Sequence, residues 1–513
     1  MLYIAADALL TNFAIESLKQ LNNSASAPPG CHDKARVVVA AQFAIDAPGG
    51  QQIPRYIFDE CSGGDLGRSI KGYLDAPDNM TEQQALISFL EWVYERPECQ
   101  TKNYALILWG HGPELLLQPP PGDPTGDSAS LYITPEELRE AITEAVPIDR
   151  DTKKRRLNIV GFDACSMSMF EMAYELRGLT DYMVASQEEV PDPSFPYDSL
   201  VAMFRKYGDQ TELLIKQGVR AYVSAYQDYV CNAITGMKRV TLSAFDLRKC
   251  GALEKAIRCL ACALLASQND SGLPALLIEA RGDSRDYAGG LYVDLVEFCT
   301  NLHWLLDAIM SVDEMNAPDD MPCPPEGDVP QNFGVVAKCN GNNLKNSVAL
   351  RKKIKRACLM VLDALRLGSD GTPTGLILAN CSADTRSHGL SIYLPYLSDE
   401  QYAQVAQPMV KGGIGTIGKG FSDVLNSAAP GLLMCARRDL IIVTEGYYDS
   451  LRLASDTAWY CFITMFWSRI LIVSDPNNLD FRYSAQQAAF NACRKQCKAA
   501  EHCKAETNLQ LDQ

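Results

Sequence analysis

The chain has 513 residues, 47% of them hydrophobic and 21% charged, a composition typical of an ordinary globular protein with room for roughly two to four domains. Its formal net charge of −16 disfavours nucleic acid as a partner, because phosphate binding requires a basic surface. The same charge suits cationic substrates.

The 18 cysteines are scattered through apolar segments, as Cys259 and Cys262 illustrate. A free cysteine in such a segment acts as a small buried hydrophobe, which favours a reducing compartment. The first residues lack a basic leader and a cleavage site, so we expect a cytoplasmic protein. The longest apolar stretch, residues 459–473, is interrupted by Arg469 and is short for a bilayer span, so we expect no membrane partner.

Strand-like and helix-like segments alternate over about the first 240 residues, which predicts an α/β fold with a mostly parallel sheet. The predicted strands cover residues 2–6, 37–43, 104–108, 157–162 and 182–186. Thr81 opens one capping box, for a helix to about Glu95. Thr134 and Glu137 form a second, for a helix to about Ala145 that crosses between two strands.

A loop rich in proline, glycine and aspartate, residues 113–130, follows the third strand and is either a surface insertion or a lid. Beyond residue 240 the pattern predicts a strand at 240–246, a helix to about Ser267, a helix at 345–367 and a strand at 390–395. We therefore expect a catalytic core at 1–245, an α+β extension packed on it at 246–467, and a helical tail at 468–513.

Two apolar runs each end at a residue with catalytic chemistry. Residues 104–108 lead to His111, and residues 157–160 lead to Cys165. Ligands and chemistry collect at the carboxyl ends of parallel strands, so the two side chains are expected to share one cleft. The pair predicts a cysteine hydrolase, in which a thiolate attacks a carbonyl and an imidazole handles the proton.

The neighbours of this pair refine the prediction. We expect a helix from Ser166 to about Arg177, whose positive end would favour the Cys165 thiolate. Gly112 leaves its backbone N–H free to face a developing oxyanion. Asp163 shares a strand face with Cys165 and could orient the histidine, bind a cationic side chain or cap the helix. Glu188 and the next residue offer a further carboxylate, or are only solvated.

These residues make the chain resemble the clostripain family of cysteine peptidases, whose clan also holds caspases, legumain and gingipains. The resemblance covers about residues 2 to 467 and is most specific in Trp-Gly-His-Gly at 109–112 and Asp-Ala-Cys at 163–165. The further matches are Tyr-Ile-Ala-Ala-Asp at 3–7, Ala-Ser-Gln-Glu at 185–188, Pro-Tyr at 196–197, Tyr-Val-Asp-Leu at 292–295, Ser-His-Gly-Leu-Ser-Ile-Tyr-Leu-Pro at 387–395 and Thr-Ala-Trp at 457–459.

The resemblance implies a caspase-like α/β/α sandwich and an endopeptidase that cleaves peptide or protein substrates after Arg or Lys. It assigns the catalytic dyad to His111 and Cys165, and the substrate pocket to Asp163, Ser186 and Glu188. It also implies that no cofactor is required, although some members need calcium and many mature by self-cleavage.

The chain departs from the family pattern at several positions. Ala8 stands where asparagine is usual, Gln187 replaces a common acid, and Ser194-Phe195 replaces a Gly-Trp pair. The loop at 113–130 contains no Lys or Arg, so self-cleavage there is not expected. The chain could therefore also be a catalytically silent binding or regulatory protein of the same fold. A nucleotide-binding enzyme is disfavoured, since no glycine-rich phosphate loop follows an early strand.

Two other groups invite a functional interpretation. His388 begins a predicted strand but follows the cysteine in sequence, so we expect it to be structural. In the tail, Cys493, Cys497, His502 and Cys503 lack the Cys-x-x-Cys knuckle usual in structural zinc sites, and we expect no zinc there.

Overall fold

The pattern of contacts between residues divides the chain into two compact units. The first comprises residues 1–254, 285–297 and 363–456, and the second comprises 255–284, 298–362 and 457–513. The computed structural model describes residues 1–5, 10–26, 36–44, 53–59, 65–74, 83–110, 112, 133–191, 194–226, 240–267, 270, 273–316, 342–366, 374–382, 385–394, 451–457, 459 and 462–463.

The strands all belong to the first unit. They are β1 Leu2–Ala5, β2 Val39–Ala44, β3 Ile53–Phe58, β4 Ile70–Leu74, β5 Ala105–Trp109, β6 Ile159–Asp163, β7 Tyr182–Ala185, β8 Thr241–Asp246, β9 Asp286–Tyr287, β10 Tyr292–Asp294, β11 Ile377–Ser382 and β12 Ser391–Tyr393. Within the described residues, nine of them form one sheet in the order β11-β8-β7-β6-β5-β1-β2-β3-β4. Strands β12, β10 and β9 form a second, antiparallel sheet.

The centre of the large sheet is parallel and its margins are antiparallel. Neighbouring strands from β2 through β1, β5 and β6 to β7 run in the same direction. At one margin β3 runs antiparallel to both β2 and β4, and at the other β8 runs antiparallel to both β7 and β11. The predicted mostly parallel α/β fold is therefore confirmed, and the antiparallel hairpin β3–β4 was not predicted.

Helices cover both faces of the large sheet. They are α1 Thr11–Ser26, α2 Leu66–Ser69, α3 Gln83–Glu95, α4 Pro135–Ala145, α5 Phe170–Leu176, α6 Tyr197–Tyr207, α7 Thr211–Ala225 and, later in the unit, α12 Arg452–Asp456. Leu2 and Ile4 of β1 join one apolar core with residues of α1, α6 and α7. Tyr3 points to the opposite face, as strand alternation requires, and its ring lies 5.8 Å from that of Phe89 in α3.

The crossover from β5 to β6 begins at the capping box predicted from the sequence. The Thr134 hydroxyl accepts a hydrogen bond from the Glu137 amide at 3.1 Å, and the Glu137 carboxylate accepts one from the Thr134 amide at 2.8 Å. Pro135 occupies the first helical position, where no amide hydrogen is needed. These contacts start α4 at the predicted residue and so set the connection that brings β6 beside β5.

The second unit is helical where it is described. It includes most of α8 Cys250–Ala266, α9 Leu273–Gly282, α10 Leu295–Asn316 and α11 Asn342–Leu365. Arg351 pairs with Asp270 there, with 2.7 Å between Nε and Oδ2. The predicted domain boundaries at 245 and 467 stay predictions, and the predicted tail, the loop at 113–130 and the four tail residues considered for zinc lie outside the described residues.

Two findings concern the expectations drawn from composition. No described helix combines the length and the apolar character needed to cross a membrane. The described cysteines are not in disulfide bonds: Cys99, Cys165, Cys250, Cys259, Cys262, Cys299, Cys358 and Cys381. The cytoplasmic location stays a prediction.

Candidate active site

The carboxyl ends of β5 and β6 lie side by side. In the parallel register Trp109 stands opposite Asp163, and just beyond it the Gly110 amide donates to the Asp163 carbonyl oxygen at 3.3 Å. Two residues further on, Gly112 lies against the backbone of Cys165, and a Cβ atom added to that glycine would overlap the Cys165 carbonyl oxygen. The segments that follow the two strands therefore meet, while the shared cleft of the His111 and Cys165 side chains stays a prediction. His111 itself lies outside the described residues.

Cys165 sits in a tight turn and not at the start of a helix. Ser166 has a φ of 53°, in the left-handed region that side chains rarely adopt, and its amide donates to the Glu188 carbonyl at 3.1 Å. The next helix, α5, begins only at Phe170, so the predicted effect of a helix dipole on Cys165 is wrong. A backbone donor acts instead: the Val190 amide lies 3.4 Å from the Cys165 sulfur, where it stabilises negative charge.

The delayed helix start follows from pairing that the sequence pattern did not reveal. After the turn at Cys165 and Ser166 the chain runs extended as far as Met169, because Ser168 donates its amide to Ser186 and accepts the amide of Ser391, both at 2.9 Å. The Ser168 hydroxyl also donates to the Gly389 carbonyl at 2.5 Å. Apolar residues at helical spacing continued the predicted helix into this segment, but these long-range backbone contacts hold it extended.

Asp163 is almost fully buried, with 4% of its surface exposed, and its two carboxylate oxygens have different surroundings. Oδ2 accepts three hydrogen bonds: from the Ser194 hydroxyl, from the Phe195 amide at 3.2 Å and from the Tyr197 hydroxyl at 2.7 Å. Oδ1 has no hydrogen-bond partner among the described residues. The alternative role of Asp163 as a helix cap is wrong, because neither oxygen contacts the start of α5.

Ser194 links Asp163 to the rest of the site. Its hydroxyl accepts a hydrogen bond from the Trp109 indole N–H at 2.7 Å while donating to the carboxylate. Its carbonyl oxygen accepts from the Tyr226 hydroxyl. Its φ of 88° lies in the region that favours glycine, the residue that the family resemblance predicts at this position. The serine therefore adds a hydroxyl to a backbone shape that a glycine adopts without strain.

Burial changes the protonation of this cluster. It raises the pKa of Asp163 from 3.8 to about 6, although the hydrogen bonds from Ser194, Tyr197 and Phe195 lower it in part. Burial and the nearby Asp163 carboxylate raise the pKa of Tyr222 and Tyr197 well above the ordinary value. At neutral pH the site therefore holds one carboxylate among neutral hydroxyl groups.

The residues expected at the third strand end lie close to Cys165 but already have partners. Ser186 is fully buried, with its hydroxyl 2.9 Å from that of Thr241. Glu188 forms an ion pair with Arg285, with 2.5 Å between Oε1 and Nη2, and both side chains are about four-fifths buried. The roles of Ser186 and Glu188 in substrate binding stay predictions.

His388 belongs to another network, centred on the buried carboxylate of Asp294. Its Nδ1 lies 3.3 Å from Oδ1 of Asp294, and its amide donates to Oδ2 of the same carboxylate at 2.8 Å. Asp294 also accepts from the Gln187 side chain at 3.1 Å and from the first amides of α10. The hydrogen bond to Asp294 raises the pKa of His388, and these contacts tie the histidine to the backbone of the second sheet.

Sequence reasoning missed Tyr222 and Tyr226, which lie near Asp163. Trp109 and Tyr197 also surround Asp163, but the sequence analysis includes them only within matched motifs and gives them no role of their own. No group of three His, Cys, Asp or Glu side chains able to hold a metal occurs in the part of the chain that the structure describes. The expectations on calcium and on the absence of a required cofactor stay untested.

Comparison with known proteins gives one strong match. The clostripain family matches residues 2–321 of this chain. No protein with curated annotation matches it.

Several solved structures are similar in fold, at low identity. An inactive zymogen C11 protease from Parabacteroides distasonis is 15% identical, with 77% of this chain and 90% of that chain covered and a TM-score of 0.45. A secreted C11 cysteine protease from Bacteroides thetaiotaomicron, in complex with an irreversible peptide inhibitor, is 17% identical, with 79% and 94% covered and a TM-score of 0.45. A further structure of a secreted C11 cysteine protease from that species is 13% identical, with 76% and 91% covered and a TM-score of 0.44.

Proposed function

Because the chain belongs to the clostripain family of cysteine peptidases, we propose that it is an endopeptidase that cleaves after Lys or Arg through a dyad of His111 and Cys165. Peptides or proteins with basic residues are its substrates. Neither a metal nor an organic cofactor takes part in the chemical steps of this proposal.

The contact between Gly112 and the Cys165 backbone carries the proposal. Gly110 and Gly112, the two chain neighbours of His111, contact the backbones of Asp163 and Cys165. Consecutive Cα atoms are about 3.8 Å apart, so the contacts of its two neighbours support His111 as the partner of the thiol. Cys165 is itself partly exposed, as a nucleophile requires.

The proposed mechanism is acyl transfer in two steps. The Cys165 thiolate attacks the scissile carbonyl carbon, and the amides of Gly112 and Cys165 stabilise the oxyanion that forms. His111 then protonates the leaving amine, the C–N bond breaks, and a thioester remains on Cys165. Water, deprotonated by His111, attacks the thioester, which releases the acid product and restores the thiol.

The proposed basic preference rests on Asp163. Its buried carboxylate has one oxygen without a partner in the described part of the chain, which makes it a suitable acceptor for a cationic side chain. Ser186 and Glu188 are the further candidates for the pocket wall, since the backbone of both residues runs beside the segment that follows Cys165.

Hydrolysis of fluorogenic peptides tests this proposal. Peptides that differ only in a Lys, Arg, Asp, Asn or Leu before the scissile bond are incubated with the wild type, with Cys165→Ala and with His111→Ala, each with and without added calcium. We expect cleavage after Lys or Arg that both variants lack, while Asp163→Asn loses it selectively. Cleavage after another residue would contradict the basic pocket. No turnover and no alkylation of Cys165 would favour the catalytically silent binding protein.

A further inference from the structure

We propose that the Asp163 pocket selects lysine over arginine as the residue before the scissile bond. This inference rests on the proposed function, in which Asp163 binds a basic side chain. It goes beyond that function because it distinguishes two cations by the number of acceptor atoms that the pocket offers.

Only one of the two carboxylate oxygens of Asp163 accepts hydrogen bonds from the described residues. Three donors, the Ser194 hydroxyl, the Phe195 amide and the Tyr197 hydroxyl, all bind Oδ2. A carboxylate oxygen has two lone pairs, so three donors leave Oδ2 no capacity for a fourth. Oδ1, buried and without a partner among the described residues, is the oxygen left for a ligand.

Lysine and arginine need different acceptors. A guanidinium binds a carboxylate best through two parallel N–H groups, one to each oxygen, and its fixed plane does not adapt to a single acceptor. An ammonium is a compact point charge with three rotatable donors, and one oxygen is enough to fix it. A carboxylate with a single oxygen left to accept from a ligand therefore favours lysine.

Glu188, the second acid predicted for the pocket, does not supply the pair of acceptor oxygens that a guanidinium needs. Glu188 is held by the guanidinium of Arg285 at 2.5 Å, with side chains 18% and 20% exposed. An arginine substrate would have to compete with this internal arginine for the same carboxylate. The positive charge of Arg285 repels a substrate guanidinium that approaches Glu188. It repels a more distant ammonium bound at Asp163 less strongly.

Tyr222 offers the ammonium a second acceptor. Its hydroxyl is buried and has no hydrogen-bond partner among the described residues. Its ring packs against Phe195 at 5.1 Å and Tyr226 at 5.2 Å, two members of the network around Asp163. Asp163 and Cys165 both help to raise its pKa, which indicates that it shares their surroundings. Two separate single acceptors suit the diverging N–H bonds of an ammonium group.

Paired peptides that differ only in Lys or Arg before the scissile bond test the inference. We expect kcat/KM for the Lys peptide to exceed that for the Arg peptide by about tenfold or more, the difference of one charged hydrogen bond. Ser194→Gly with Tyr197→Phe leaves a single donor on Oδ2 and should lower this ratio, whereas Ser194→Gly alone leaves two donors and should lower it less. Tyr222→Phe should reduce Lys turnover more than Arg turnover.

Three controls separate the possible failures. Ser194→Ala lacks the hydroxyl but keeps a Cβ atom, so it should match Ser194→Gly if the hydroxyl is the cause. Tyr182→Phe, whose hydroxyl bonds Glu212 and Arg248 away from the site, should leave the ratio unchanged. Alkylation of Cys165 verifies that each variant is folded.

An Arg peptide cleaved as well as the Lys peptide, with both lost in Asp163→Asn, would overturn the inference and leave the proposed function intact. Equal ratios in the wild type and the donor-deleted variants would also overturn it. If neither basic peptide is cleaved but another is, the proposed function itself fails, and the inference fails with it.

Discussion

Gly112 lies so close to Cys165 that a methyl group on the glycine would overlap the carbonyl oxygen of the cysteine. The two residues are 53 positions apart in the sequence and follow neighbouring parallel strands. Such a close approach of two backbones leaves no room for any side chain, so glycine is the one residue that fits. The contact fixes the segment that carries the proposed base against the proposed nucleophile.

Gly112→Ala should therefore lower kcat/KM by at least a hundredfold, because the two segments must separate to admit the methyl group. Gly218→Ala is the matched control, since an added Cβ there has nothing within 4 Å and lies in the middle of α7. That change should keep full activity and raise stability by about 0.5–1 kcal/mol. Peptide hydrolysis and thermal unfolding measure the two effects, and an active Gly112→Ala would contradict the contact.

Asp163 should make stability depend on pH. Its pKa rises from 3.8 to about 6 on folding, so between these values the folded chain binds more protons than the unfolded chain. Stability then falls as pH rises through this window, by about 3 kcal/mol in all, and the loss persists at higher pH. Asp163→Asn lacks this contribution.

Thermal unfolding of the wild type and Asp163→Asn at pH 4.5 and 7.5 checks this sign. The wild type should lose melting temperature relative to the variant as pH rises. If the melting temperature of the wild type instead rises relative to that of Asp163→Asn as pH increases, the folded protein stabilises the charged carboxylate. That result would contradict the energetic cost of burying the charge.

The sequence predicted the elements whose signals are local. The apolar runs before His111 and Cys165 became the adjacent parallel strands β5 and β6, because β6 is buried on both faces and β5 is buried on one face and partly buried on the other. Thr134 and Glu137 lie three residues apart, and a capping box depends on nothing else.

The remaining features depend on distant parts of the chain. The helix after Cys165 starts four residues later than its apolar spacing predicted, because Ser391 and Ser186 pair with Ser168. The hydrogen bonds on Asp163 come from residues 31 to 34 positions away, placed there by a left-handed turn at Ser194. A single sequence has no local signal for such contacts.

The two predicted pocket acids should differ strongly in importance. Asp163→Asn should lower kcat/KM for a Lys peptide by about a hundredfold or more, because it removes the buried negative charge that pairs with the substrate lysine. Glu188→Gln should change it by less than about tenfold, since Arg285 already neutralises that carboxylate. Side-by-side kinetics measure both variants, and a larger effect at Glu188 would exchange their roles.

Thr134→Ala should destabilise the protein by about 1 kcal/mol without changing kcat, because the capping box starts the crossover helix away from the reacting groups. Thr143→Ala on the same helix is the control, since its exposed hydroxyl only bonds back to the Arg139 carbonyl at 2.7 Å. Urea unfolding of both variants tests this, and equal stabilities would contradict the capping contribution.

His388 should prove dispensable for catalysis but not for stability at acid pH. Its pKa is raised above 6.5 in the folded chain, chiefly by the hydrogen bond to Asp294 and further by the charges of Asp294 and Glu297. A raised histidine pKa contributes stability that is fully present below 6.5 and is lost as pH rises through the folded value. His388→Gln should therefore melt at a lower temperature than the wild type at pH 5.5, and the difference should narrow by pH 9.

Cleavage of a Lys peptide by His388→Gln at pH 7.5 should stay within a few-fold of the wild type, whereas His111→Gln abolishes it. Loss of turnover in folded His388→Gln, with activity retained in His111→Gln, would move the proposed base from the end of β5 to the start of β12.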